Sequence, residues 1–157
     1  MFDTVVVATD GSESVKRAVT VAVDLAGRFG ADVHAISVVD AGEVDASPEQ
    51  LREEFRTALE THAESALSQI LEQAGQGITT AVREGRPAPE ISSYARDVDA
   101  DLIVSGTRGR HGENRLLLGS VAERLVRTAP VPVLTVRQLE SSADDDAIGA
   151  DAVSTTG

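Results

Sequence analysis

Two hydrophobic rhythms alternate along the chain. Residues 3–9, DTVVVAT, form an almost unbroken β-branched run that stops at Asp10-Gly11, the pattern of a strand buried on both faces. Beyond it Val15, Ala18, Val19, Ala22, Leu25 and Ala26 recur every three or four residues, the period of a helix facing a core. Asp10 and Glu13 have capping-box spacing ahead of that helix, and Gly27 and Gly30 end it. A second strand is expected over 32–39, then a polar loop over 40–48. Pro48 opens a long helix to about Ala74, with Leu51, Phe55, Leu59, Ala63, Ala66, Leu67, Ile70 and Leu71 on one face. GQGI breaks it. ITTAVREG reads as a third strand, Pro87 and Pro89 suit a helix start, and Ile91 to Val98 is a short helix. DLIVSG is a fourth strand, a helix runs from about Ser120 to Thr128, and VPVLTVR is a fifth strand.

Strand and helix therefore alternate five times, and no linker is as short as a two-residue hairpin. Parallel strands joined by right-handed crossovers follow: an α/β fold with an open five-stranded parallel sheet and helices on both faces. In such sheets ligands bind beyond the carboxyl ends of the strands, where strand order reverses. Asp10 and the glycine-rich stretch after Gly106 both stand at strand carboxyl ends.

Length and composition agree with one domain. The chain has 157 residues, 41% of them hydrophobic, enough for a real core. No apolar run approaches the ~20 residues of a membrane span, and the amino terminus has no signal-peptide pattern. The chain has no cysteine, which removes disulfides and thiolate zinc sites. A cytoplasmic location is the simplest expectation. The net charge of −12 argues against nucleic-acid binding, which requires cations against phosphates. A single lysine, Lys16, against thirteen arginines, many carboxylates and 3% aromatics resemble proteins of salt-rich cytoplasm, where screening acts over about 3 Å at 1 M salt. Residues 138–157 carry five carboxylates, no cation and no periodic apolar face, so a domain over 1–137 and an acidic, disordered tail over 138–157 are expected.

The chemistry concentrates in 106–120, GTRGRHGENRLLLGS. Residues 106–127 hold five arginines against two glutamates, a local excess of three positive charges in an acidic chain. Glycine admits positive φ and close backbone approach. Gly119-Ser120 precedes a helix, whose first N–H groups and dipole attract anions. These parts describe a phosphate cradle. They also fit plain turns, with Ser120 and Glu123 as an ordinary capping box, and residue chemistry alone leaves both readings standing.

The spacing Gly106-x2-Gly109-x9-Gly119-Ser120 after a fourth strand resembles the nucleotide-binding signature of the universal stress protein family. The resemblance extends through DLIVSGTRGRHGENRLLLGSVAERLVRTAPVPVLTVR and the opening TVVVATDGSESVKRAV, about residues 2–137. It implies that Gly106, Gly109, Gly119 and Ser120 hold the phosphates of ATP, with Arg110 adding a contact. It places Thr9 and Asp10 beside the nucleoside, Val38 at the adenine pocket and Val121 close to the nucleotide. ADP or AMP is admitted in the same site, and Mg²⁺ could be shared by Asp10 and the phosphates. The resemblance also implies a homodimer through the fifth strand, Val131 to Arg137, where Pro132 suits an edge. Glu113-Asn114 depart from the family's small or apolar residues there, and Glu113 is expected to face water beside Arg115 or Arg110.

The expected function is an ATP-binding regulatory module of stress response. The alternatives are a weak ATPase or nucleotidyl-transfer enzyme on the same site, and an interaction scaffold without nucleotide. There is no Gly-x4-Gly-Lys-Ser/Thr loop for γ-phosphate chemistry. TDGSES only partly resembles the loop of ATP pyrophosphatases, and aromatic residues to flank a flavin are lacking. No catalytic residue and no dedicated metal ligand are assigned. His34 reads as structural, His62 as a solvated or boundary residue, and His111 as facing solvent.

Overall fold

The computed structural model describes residues 2–12, 15–75, 77–107 and 118–137. Five strands, β1 (Thr4–Ala8), β2 (Asp32–Asp40), β3 (Ile78–Gly85), β4 (Leu102–Gly106) and β5 (Val133–Val136), pair in the order β3-β2-β1-β4-β5. Every pairing is parallel. The helices are α1 (Lys16–Phe29), α2 (Ala41–Ala46), α3 (Arg52–Ala74), α4 (Pro87–Asp97) and α5 (Ser120–Thr128). The expected open sheet with helices on both faces is what forms.

Strand alternation explains the unbroken apolar runs. Val5 and Val7 enter one core with α1 and α3, while Val6 and Ala8 enter the other with α4 and α5. Val6 and Val7 are wholly buried, and burying one such side chain contributes about 1.5–3 kcal/mol. The central strand is thus bound from both sides, which holds its carboxyl end in place.

Local chemistry sets the element boundaries. The first helix does not begin on an Asp10 capping box. It begins at Lys16, with Val15 as N-cap and no side-chain cap. That start is too far along the chain for the Asp10 carboxylate, which instead accepts the Ser12 N–H at 2.9 Å. Glu13 lies outside the described residues. Gly30, at φ 64°, ends α1, and the Ala31 N–H closes on the Ala26 carbonyl at 2.8 Å. Helix α4 starts earlier than Ile91, at Pro87, where a missing N–H costs no helical bond.

The expected loop at 40–48 contains α2, capped by the Asp40 carboxylate on the Gly42 N–H at 2.9 Å. The long helix also differs from its apolar pattern. A 3₁₀ turn over Glu49–Leu51 precedes α3, and Ala63, Ala66, Leu67 and Ile70 are its buried positions. Leu51, Phe55 and Leu71 are 49%, 38% and 38% exposed.

The sheet's amino end is tied by Asp101, whose carboxylate accepts the N–H groups of Asp3 at 2.7 Å and Thr4 at 3.1 Å. These bonds hold its carboxyl below the ordinary value of 3.8. Half-buried His34 shares a 2.8 Å hydrogen bond with the Tyr94 hydroxyl, and the Arg83 guanidinium stacks 4.9 Å from the Tyr94 ring centre. The structural reading of His34 fits this contact. Among the described residues no helix is long and apolar enough to cross a membrane.

Strand β5 is a sheet edge. Pro132, however, does not blunt that edge. Its carbonyl accepts the Ile103 N–H at 3.0 Å, and the Val136 carbonyl accepts the Thr107 N–H at 3.2 Å. These alternate groups face β4, so the outward-facing backbone belongs to Val133 and Thr135. The expected tail over 138–157 lies outside the described residues.

Candidate functional site

The chain leaves β1 toward β2 and β3, then returns across β1 to β4 and β5. Strand order therefore reverses between β1 and β4, the place where open α/β sheets bind ligands. A cleft of about 280 Å³ opens there at the carboxyl ends of the strands. That is near the lower end of the roughly 300–1,000 Å³ of small-molecule sites. A second groove, about 450 Å³, runs between α1 and α3 on the far side of the Thr9 turn. Its lining has no residue of β4 or α5.

The structure brings seven of the nine expected site residues together in the first cleft: Thr9, Asp10, Val38, Gly106, Gly119, Ser120 and Val121. Gly109 and Arg110 lie outside the described residues, as do Arg108, His111, Glu113 and Arg115. Each element contributes for a local reason. Thr9 is buried, its N–H donates to the Ile36 carbonyl at 2.9 Å, and its hydroxyl oxygen accepts the Gly11 N–H at 3.0 Å. Thr9 therefore builds the turn that presents Asp10. Val38 lines the cleft from β2, and buried Gly106 is the last residue of β4.

Gly119 and Ser120 behave differently from a capping box. Gly119 is the N-cap of α5, and no side chain caps that helix. Ser120 is already the first helical residue, so its hydroxyl is not committed to the Glu123 N–H. Glu123 donates instead to the Gly119 carbonyl at 2.9 Å. Gly119 has φ −62° and ψ 156°, and positive φ in the described glycines occurs at Gly11, Gly30, Gly75, Gly77 and Gly85. What Gly106 and Gly119 supply is an absent side chain beside the cleft. The Gly119 N–H donates to the Thr107 carbonyl, which leaves the N–H groups of Ser120, Val121 and Ala122 as the uncommitted first turn of α5.

The described cleft wall is acidic. Asp10, Asp40 and Glu43 line it, with no cation among the described lining residues. Asp40 and Glu43 were not legible as site residues, although Asp40-x-Gly42 is a capping signal after a strand. His62, expected as a solvated or boundary residue, is exposed on α3, and its Nε2 donates to the Asp10 carbonyl at 3.0 Å. No group of three or more His, Cys, Asp or Glu residues among the described residues could hold a metal ion.

An open, doubly wound α/β protein with a cleft at its switch point and a helix start in the cleft wall is the class that this fold and site define. Within that class the chain belongs to the universal stress protein family, whose family model matches residues 1–137. A universal stress protein of Methanocaldococcus jannaschii is 39% identical over 147 residues, covering 88% of this chain and 84% of its own. Among solved structures, the universal stress protein UspA from Lactobacillus plantarum superposes with a TM-score of 0.74 at 29% identity, over 87% of this chain and 98% of its own. A universal stress protein solved in complex with cAMP gives 0.62 at 27% identity, over 87% and 97%.

Proposed function

We propose that this chain is an ATP-binding regulatory module of stress response, acting as a homodimer in the cytoplasm. The observation that carries the reading is the meeting of the uncapped first turn of α5 with Asp10 and Val38 in one cleft. Free N–H groups and the helix dipole suit phosphate at one end. The apolar side chains of Ile36, Val38 and Ile91 in the same lining suit a base. The relative solved with cAMP supports an adenine nucleotide as the ligand class.

On this reading the phosphates rest on Gly106, Gly109, Gly119 and Ser120, with Arg110 assisting. Thr9, Asp10, Val38 and Val121 frame the nucleoside. ADP or AMP would occupy the same place. Where a polyphosphate is bound, Mg²⁺ would be shared between its oxygens and Asp10, since Mg²⁺ takes one or two carboxylates plus phosphate. The dimer would form through the free edge of β5, within Val131 to Arg137. The folded domain is read as 1–137 with the acidic tail beyond it, and the acidic surface is read as suited to high salt.

The test is to purify the protein, denature it, and identify the released nucleotide by chromatography and mass. The reading predicts an adenine nucleotide approaching one per chain. A different bound ligand class would replace it.

A further inference from the structure

We propose that His62, which lies on α3 outside the cleft, is a positioning residue for the nucleotide site. It holds the turn that carries Asp10. This rests on the nucleotide reading above.

The turn is shaped from within by two hydrogen bonds. The Thr9 hydroxyl oxygen accepts the Gly11 N–H at 3.0 Å, and the Asp10 carboxylate accepts the Ser12 N–H at 2.9 Å. His62 ties that shaped turn to α3, because its Nε2–H donates to the Asp10 carbonyl at 3.0 Å. The seat is close. A Cβ at Gly11 would stand 2.9 Å from His62 Nε2 and 3.2 Å from the Ala66 Cβ one helical turn along. Gly11 sits at φ 81°, where its lack of a side chain lets the turn lie flush on the helix.

The helix itself is fixed at this level. Ala63, next to His62, is buried in a cluster with Val39 at the end of β2 and Val44 of α2. Helix α2 begins at the Asp40 cap, and Asp40 and Glu43 line the same cleft as Asp10. One segment of α3 thus sets the spacing of both acidic walls: Ala63 packs beneath the α2 side, and His62 grips the Asp10 side. Loss of the His62 bond frees Asp10 to shift against Val38 and Gly106 without removing any group that lines the cleft.

The test compares His62→Ala and His62→Gln with the parent in the full chain. ATP affinity is read by calorimetry, and the Gly11 and Ser12 amide resonances by heteronuclear NMR. His62→Ala should weaken ATP binding roughly 3- to 10-fold, the span of one net hydrogen bond, and displace both resonances. His62→Gln keeps an N–H at the same reach, so it should recover most of the affinity and return the resonances toward the parent. Equal affinity in parent and His62→Ala overturns the proposal, as does an equal loss in both variants, which would mean packing rather than the hydrogen bond. If the parent binds no ATP, the nucleotide reading fails. The resonances then decide: displacement in His62→Ala recovered by His62→Gln upholds the positioning role, and unchanged resonances overturn it.

Discussion

The N–H of Gly119 donates to the carbonyl of Thr107 at 2.5 Å. The residue after β4 is thereby joined to the N-cap of α5, and both line the cleft. Gly119 has backbone angles that any residue adopts, so its function under the proposed reading is to leave room. Gly119→Val should therefore fold, with a thermal midpoint near the parent's. Its branched side chain should weaken ATP binding by about tenfold or more, the loss of one or two charge-assisted hydrogen bonds at about 1.5–3 kcal/mol each. Calorimetry beside a thermal melt checks both halves.

Asp101 links acid stability to the amino end of the sheet. Its carboxyl is held low by the N–H groups of Asp3 and Thr4. A group depressed in the folded state contributes stability that is present above its unfolded value of about 3.8 and is lost as pH falls through the lower folded value. Asp101→Asn should lower the thermal midpoint at neutral pH, and the gap to the parent should narrow as pH falls below 3.8. Melts at pH 2 to 7 for both proteins measure that gap.

Tyr94 behaves in the opposite sense. Burial pushes its phenol above the ordinary value of 10.0, with the Arg83 guanidinium opposing. Its contribution is intact below pH 10 and is lost as pH rises through the raised folded value. Tyr94→Phe removes the partner of His34 and should cost about 1 kcal/mol at neutral pH. Denaturant titrations should show that cost, and the parent's advantage should shrink at alkaline pH.

The free edge of β5 is carried by Val133 and Thr135, since Pro132 and Val136 face β4. Thr135→Pro removes an outward N–H without touching a bond to β4. Under the proposed dimer it should shift the mass in solution from dimer to monomer while the circular dichroism spectrum is kept. Size-exclusion chromatography with light scattering reads the mass.

Truncation after Arg137 keeps every strand and helix of the described sheet, including the bond from the Arg17 guanidinium to the Arg137 carbonyl at 2.7 Å. Removing residues 138–157 should leave ATP affinity and the thermal midpoint within error of the full chain. A large fall in the midpoint would mean that the tail packs on the domain.

The sheet was legible because burial on both faces demands continuous apolar strands, and DTVVVAT and DLIVSG supply them. The overhang of α3 was not. His62 meets Asp10 at the end of β1, so the turns before it run past that strand, and Leu51 and Phe55 keep a helical apolar period with little to bury them. Helix α2 was hidden for a different reason. It is six residues long and buries only Val44, too short for a period to show. At the site, strand ends and glycine spacing were visible in one dimension. The acidic wall of Asp40 and Glu43, and the grip of His62, depend on where α2 and α3 pack, which spacing along the chain does not encode.

The most direct test of the central claim is calorimetric titration of the nucleotide-stripped protein with ATP, with adenosine and tripolyphosphate as separate controls. The account predicts saturable binding of about one ATP per chain, tighter than either half alone, because the base and phosphate ends of one cleft act together. Absence of ATP binding, or equal binding of ATP and tripolyphosphate, would contradict it.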